Sequence, residues 1–204
     1  MYNDQPAYPG RVDWSGENPG LYLKETPDGP FVTLASFFRV VLSPHGRGHA
    51  LLLLQSPGDA VAPTAAPNLC ITDNEPLARW LVAEFAAHFG AFRDLPGLAR
   101  LEYRPLLQAE TSGDASSTYA ETVRSDDMEV RLEWSDLGEP FALELPPDKS
   151  ATGRHVMLSL FVGAGSGSVT VNGRRLPGRP VPREMAGRQI TTAFLAFSET
   201  WVRA

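Results

Sequence analysis

The sequence predicts a mainly β domain, an antiparallel β-barrel or β-sandwich with one amphipathic helix packed on the sheet. Three observations lead there. Short apolar segments recur from Phe31 to Val202 between turns, in a chain holding 18 Gly and 18 Pro. Met128, Val130, Leu132 and Trp134 alternate with Glu129, Arg131 and Glu133, as in a strand with one buried face. Only Leu77, Trp80, Leu81, Phe85, His88 and Phe89 recur at helical spacing.

Residues 1–30 hold five prolines and four glycines, together with Tyr2, Tyr8, Trp14 and Tyr22. An extended arm with little regular structure is expected there, its aromatics lying on the body of the domain or on a second subunit. The β domain then spans 31–204. Phe31 to Leu42 and Ala50 to Gln55 read as strands joined by a short turn, and Leu69 to Thr72 as a third. Ser56 to Asn68, with three prolines, reads as a loop. Thr72-Asp73-Asn74-Glu75 fits a capping box, so a helix is expected near 74–89, with Gly90 as its stop.

From Leu101 onward consecutive antiparallel strands are expected: Leu101 to Gln108, Thr118 to Arg124, Met128 to Trp134, Phe141 to Leu145, and His155 to Gly163. The run Gly163 to Ser168 reads as a flexible hairpin link to Val169–Val171. Asn172-Gly173 reads as a tight turn into Arg174–Leu176, and Gln189 to Val202 as the longest strand. Such a meander resembles a calycin-like β-barrel at the level of fold, without a lipocalin signature motif. A closed barrel of about eight strands encloses room for one small ligand.

At 204 residues the chain suits one domain, or at most two small ones, and needs neither disulfide nor metal to fold. Its net charge of −6 disfavours nucleic acid as a partner. The one cysteine, Cys70, excludes an intrachain disulfide and points to a small buried thiol. No signal peptide or apolar span is visible, so a cytoplasmic protein away from membranes is expected. No cofactor is expected. His45 and His49 flank a turn without metal-ligand spacing, so no metal is expected either.

Glu199 is the candidate catalytic residue. Strict alternation puts it on one face with Ala193, Leu195, Phe197 and Trp201, where desolvation would raise its pKa. Such a group serves as general acid or base, or as a polar contact for a ligand. The competing reading is a carboxylate that turns to solvent or pairs with an arginine. His155, at the start of a strand, is the candidate assisting residue. Trp134, Phe141, Leu158, Leu160, Phe197 and Trp201 are candidate walls of an apolar ligand site. Arg175 and Arg179 belong to a basic, Pro-stiffened segment from Arg174 to Arg188 that would shape its mouth.

Three functions follow as expectations. The first is binding of a small apolar or aromatic molecule. The second is a cofactor-free isomerase, cyclase or hydrolase using Glu199. The third is a homo-oligomeric assembly protein, in the simplest case a homodimer, whose aromatic arm crosses to a neighbour. A second titratable group beside Glu199 would favour the enzyme over the binder.

Overall fold

The computed structural model describes residues 10–59 and 68–204. Tyr2 and Tyr8 of the expected arm lie outside them. The described residues form a large mixed sheet, one α-helix and a separate two-stranded ribbon.

The expectation of an irregular arm is corrected over residues 11–24. β1 (Arg11–Glu17) and β2 (Gly20–Lys24) are strands, and each lies between β3 (Phe31–Leu42) and β15 (Ala193–Arg203). Trp14, Leu21 and Leu23 are fully buried. The prolines at 19, 27 and 30 stand between strands rather than inside them, which leaves the ladders intact. Gly20 serves close approach: a Cβ there would fall 2.5 Å from the Phe194 ring.

On the far side of β3 come β4 (Gly48–Gln55), β5 (Leu69–Thr72) and β6 (Glu102–Pro105). β5 and β6 run parallel, so the links are not antiparallel throughout. A parallel pair needs a crossover, and the helix supplies it. α1 (Glu75–Glu84) starts at Asn74, whose side chain accepts from the Leu77 amide at 3.1 Å. It is shorter than expected. After Phe85 the chain tightens into a 3₁₀ turn, Ala86–His88, before Phe89 and Gly90.

Beyond β15 lies β11 (His155–Val171), one strand of 17 residues. The expected hairpin at Gly163–Ser168 is absent: the strand runs straight through. Its glycines instead admit neighbours, since a Cβ on Gly167 would meet Leu21 at 2.4 Å. The first half of β11 pairs with β10 (Phe141–Leu145) and β15. The second half pairs with β9 (Glu129–Leu137) and β12 (Arg174–Arg175). β8 (Thr118–Arg124) and β7 (Gln108–Gly113) continue outward from β9.

The predicted strand Gln189–Val202 is broken at Thr192. β14 (Arg188–Thr191) leaves the main sheet to form the ribbon with β13 (Pro182–Met185). The break is held by Val181, whose carbonyl accepts from the Thr192 amide at 2.9 Å.

Alternation along β3 and β4 builds two apolar clusters on opposite faces. Phe38 and Leu52 join Trp14, Phe85 and Trp201 beneath α1. Phe37 and Leu51 join Val123, Val130 and Trp134 from β8 and β9. On this second side Glu121 of β8 is fully buried. It accepts hydrogen bonds from Arg39 at 2.9 Å and from the Tyr119 hydroxyl at 2.7 Å. No helix among the described residues is long and apolar enough to cross a membrane.

Candidate functional site

Under the β13–β14 ribbon, on the α1 side of the sheet, lies a cavity of about 390 Å³. Phe161, Phe194 and Trp201 give it an aromatic wall, Tyr22 and Glu199 contribute polar groups, and Arg183 faces it from β13.

A β-bulge decides that Glu199 is there. Leu160 of β11 pairs with Phe197, but Leu158 pairs with Thr200, so β15 carries one extra residue. Ser198 takes it up with φ at 49°. The side-chain phase flips at that point. Glu199 therefore leaves the face of Leu195 and Phe197 and joins Phe194, Ala196 and Trp201. The face predicted by strict alternation is corrected accordingly.

Glu199 is 3 % exposed. Its Oε1 accepts from the Trp201 indole N–H at 2.6 Å, and the neighbouring Asn18 side chain also favours its charged form. The Asn18 Oδ1 accepts from the Ser36 hydroxyl at 2.5 Å, which leaves the Asn18 NH₂ for Glu199. Ser36 is in turn a polar neighbour of the Tyr22 hydroxyl. Tyr22, Ser36, Asn18 and Glu199 thus group polar side chains within an otherwise apolar wall. No cation among the described residues acts on Glu199. Desolvation outweighs both neighbours and pushes the carboxyl up to about 7. Burial likewise pushes the Tyr22 hydroxyl up to about 12, so it is a neutral phenol at ordinary pH.

Arg183 is half-buried. Its guanidinium lies 4.9 Å from the centre of the Phe194 ring. Nε donates to the Thr191 carbonyl at 3.2 Å, and one terminal nitrogen reaches Met185 Sδ at 4.0 Å. Desolvation lowers its pKa, opposed only by Tyr22. Lys24, also at the cavity, donates to the Pro27 carbonyl at 3.2 Å and lies 4.8 Å from the Phe31 ring centre.

Of the residues singled out in the sequence, Glu199 and Trp201 meet in this cavity. His155 does not line it. It is buried behind Trp201, with Nε2 2.9 Å from Asp13 and Nδ1 2.8 Å from the Thr152 hydroxyl. That environment ties β11 to β1, and burial lowers the His155 pKa. Trp134 lies in the other cluster, donating to the Gly20 carbonyl at 3.0 Å. It shares a polar depression with the exposed Arg175. Phe197 packs on Tyr119 on that same side. Phe141 does not line the cavity; it packs tilted against Phe161, with Arg188 over its ring. Leu158 is half-buried and Leu160 is 44 % exposed. Arg179 is exposed and bonds through its backbone to Lys24.

Tyr22, Asn18 and Arg183 were not singled out as site residues. Arg183 belongs to the basic segment already noted. What distinguishes it is Ala186-Gly187, where both residues take positive φ and turn the ribbon back on itself. Elsewhere, Cys70 is buried and its thiol pushed up to about 12. His49 pairs with Asp73 at 2.7 Å while His45 lies against Trp80. No group of three metal-ligating side chains occurs among the described residues. No protein-family model and no curated protein matches the sequence.

Proposed function

We propose that this protein binds a small apolar or aromatic molecule in the cavity under the β13–β14 ribbon. The observation that carries this reading is an aromatic-walled cavity of about 390 Å³ holding a buried carboxyl with no counter-cation. Ligand sites are mostly apolar, with a few placed polar groups and volumes of roughly 300–1,000 Å³. The two clusters on opposite faces of β3 and β4 support a sheet folded over itself as a sandwich, with the ligand on its helical side. Trp14 and Tyr22, proposed for a partner subunit, pack within the chain's own core, which weakens the assembly reading.

The test is titration with a hydrophobic fluorescent dye. One dye per folded chain is expected, and Ala151→Trp, at the cavity wall, should abolish binding while leaving the circular dichroism spectrum unchanged. Dye binding that is multiple, or indifferent to that substitution, would refute the reading.

A second reading, a cofactor-free isomerase, cyclase or hydrolase, is favoured by one observation. Burial pushes the Glu199 carboxyl up to about 7, and a second titratable group, Tyr22, lines the same cavity; Tyr22, a phenol pushed up to about 12, makes no hydrogen bond to Glu199 among the described residues, which keeps binding as the first reading. Its signature would be a pH–rate profile with an apparent pKa near 7 that disappears in Glu199→Gln. A profile unchanged by that substitution would exclude Glu199 as the acid or base.

A further inference from the structure

Resting on the binding reading, we propose that the cavity takes an apolar monocarboxylate, its body against Phe161, Phe194 and Trp201 and its carboxylate on the guanidinium of Arg183. Half of the sixteen arginines have an acidic partner among the described residues: Arg39 has Glu17 and Glu121, Arg131 has Glu133, and Arg203 has Asp13. Arg183 has none among the described residues, although burial makes an unpaired guanidinium costly. Among the described residues its partners are a carbonyl on Nε, a thioether and the face of Phe194.

The terminal nitrogens of the fork therefore retain N–H groups with no oxygen acceptor among the described residues, and the residue lies on the wall of a cavity. A planar carboxylate is the anion whose two oxygens match that fork. The charge balance argues for one negative charge rather than two. The second cation, Lys24, is engaged with the Pro27 carbonyl and the Phe31 ring. The acid in the cavity, Glu199, would repel a dianion once ionised. The Phe194 ring beneath the guanidinium continues into a stack with Phe161, at 4.9 Å between ring centres. An aromatic or branched body attached directly to the carboxylate thus finds a flat apolar surface beside its anchor.

Naphthalene-2-carboxylate and naphthalene-2-carboxamide, titrated separately at about pH 6, where the first is ionised, test this. The carboxylate should bind roughly ten- to a hundredfold more tightly, the gain from a charge-assisted bidentate contact. Arg183→Gln should reduce that ratio to about one by weakening the carboxylate alone, and Lys24→Met should leave it unchanged. Should Arg183→Gln fail to fold, Arg183→Lys replaces it and should weaken the carboxylate selectively, because the fork is lost.

Equal affinities in the unaltered protein would overturn the proposal while leaving the apolar site standing. So would a ratio that survives the Arg183 substitution or collapses in Lys24→Met. Failure of both probes to bind would remove the binding reading itself.

Discussion

Among the described residues two glutamates are buried, one on each side of the sheet, and they are treated oppositely. Glu121 is fully enclosed beside Arg39, Tyr119 and Thr111, each within hydrogen-bonding distance of its carboxylate. Its charge is matched where it stands, and the cluster ties β3 to β7 and β8. Glu199 is enclosed almost as fully, yet has only neutral donors, Trp201 and Asn18. The unmatched arginine of the same cavity, Arg183, exerts no resolved influence on it. A charge satisfied by its own protein holds strands together. A carboxyl and a guanidinium that share a cavity without a counter-charge do no such tying, which is why they carry the binding proposal.

The sharpest way to break this comparison is to strip Glu121 of its partner. Arg39→Met leaves a buried carboxylate uncompensated, and a loss of about 3–5 kcal/mol is expected in urea unfolding. Arg39→Met combined with Glu121→Gln should recover much of that loss, because the stranded charge is gone. If the single variant loses less than about 1 kcal/mol, the pair is no structural tie and the contrast with Glu199 fails.

The next effect is smaller and has the opposite sign. The folded-state pKa of Glu199, about 7, exceeds its ordinary value of 4.5, so the native protein holds a proton that the unfolded chain releases. Stability from this group is full below about pH 4.5 and declines as pH rises through 7, by roughly 3 kcal/mol in all. Glu199→Gln keeps a neutral side chain at every pH. It should match the unaltered protein near pH 4 and exceed it above pH 8, in urea unfolding at each pH. A difference between the two proteins that does not vary with pH would show that Glu199 titrates normally.

The local pattern carried a good part of the architecture. β3, β5, β8 and β10 begin and end where the apolar segments at Phe31, Leu69, Thr118 and Phe141 place them. In each, composition or alternation is set by neighbouring side chains, and no distant partner is needed to read it. Glu199 was legible too, as a carboxylate between apolar residues. Its companions were not. Tyr22 and Arg183 meet it only because β2 pairs with β15 and the ribbon folds over both, matters of long-range register. The bulge at Ser198 was equally silent, since an extra residue shows only against a pairing partner. The glycines of β11 misled because flexibility and close packing ask for the same residue.

The seam between β1–β2 and β15 has a consequence for how the chain is made. A ribosome delivers residues 11–24 long before residues 193–203, and until then β1 and β2 have β3 on one side and nothing on the other. The nascent molecule must keep that unfilled groove away from other chains, with loop closure across nearly its whole length as the slow event. Glu199 and Trp201 arrive on the same closing strand, so the cavity they line exists only after the sheet has been zipped shut.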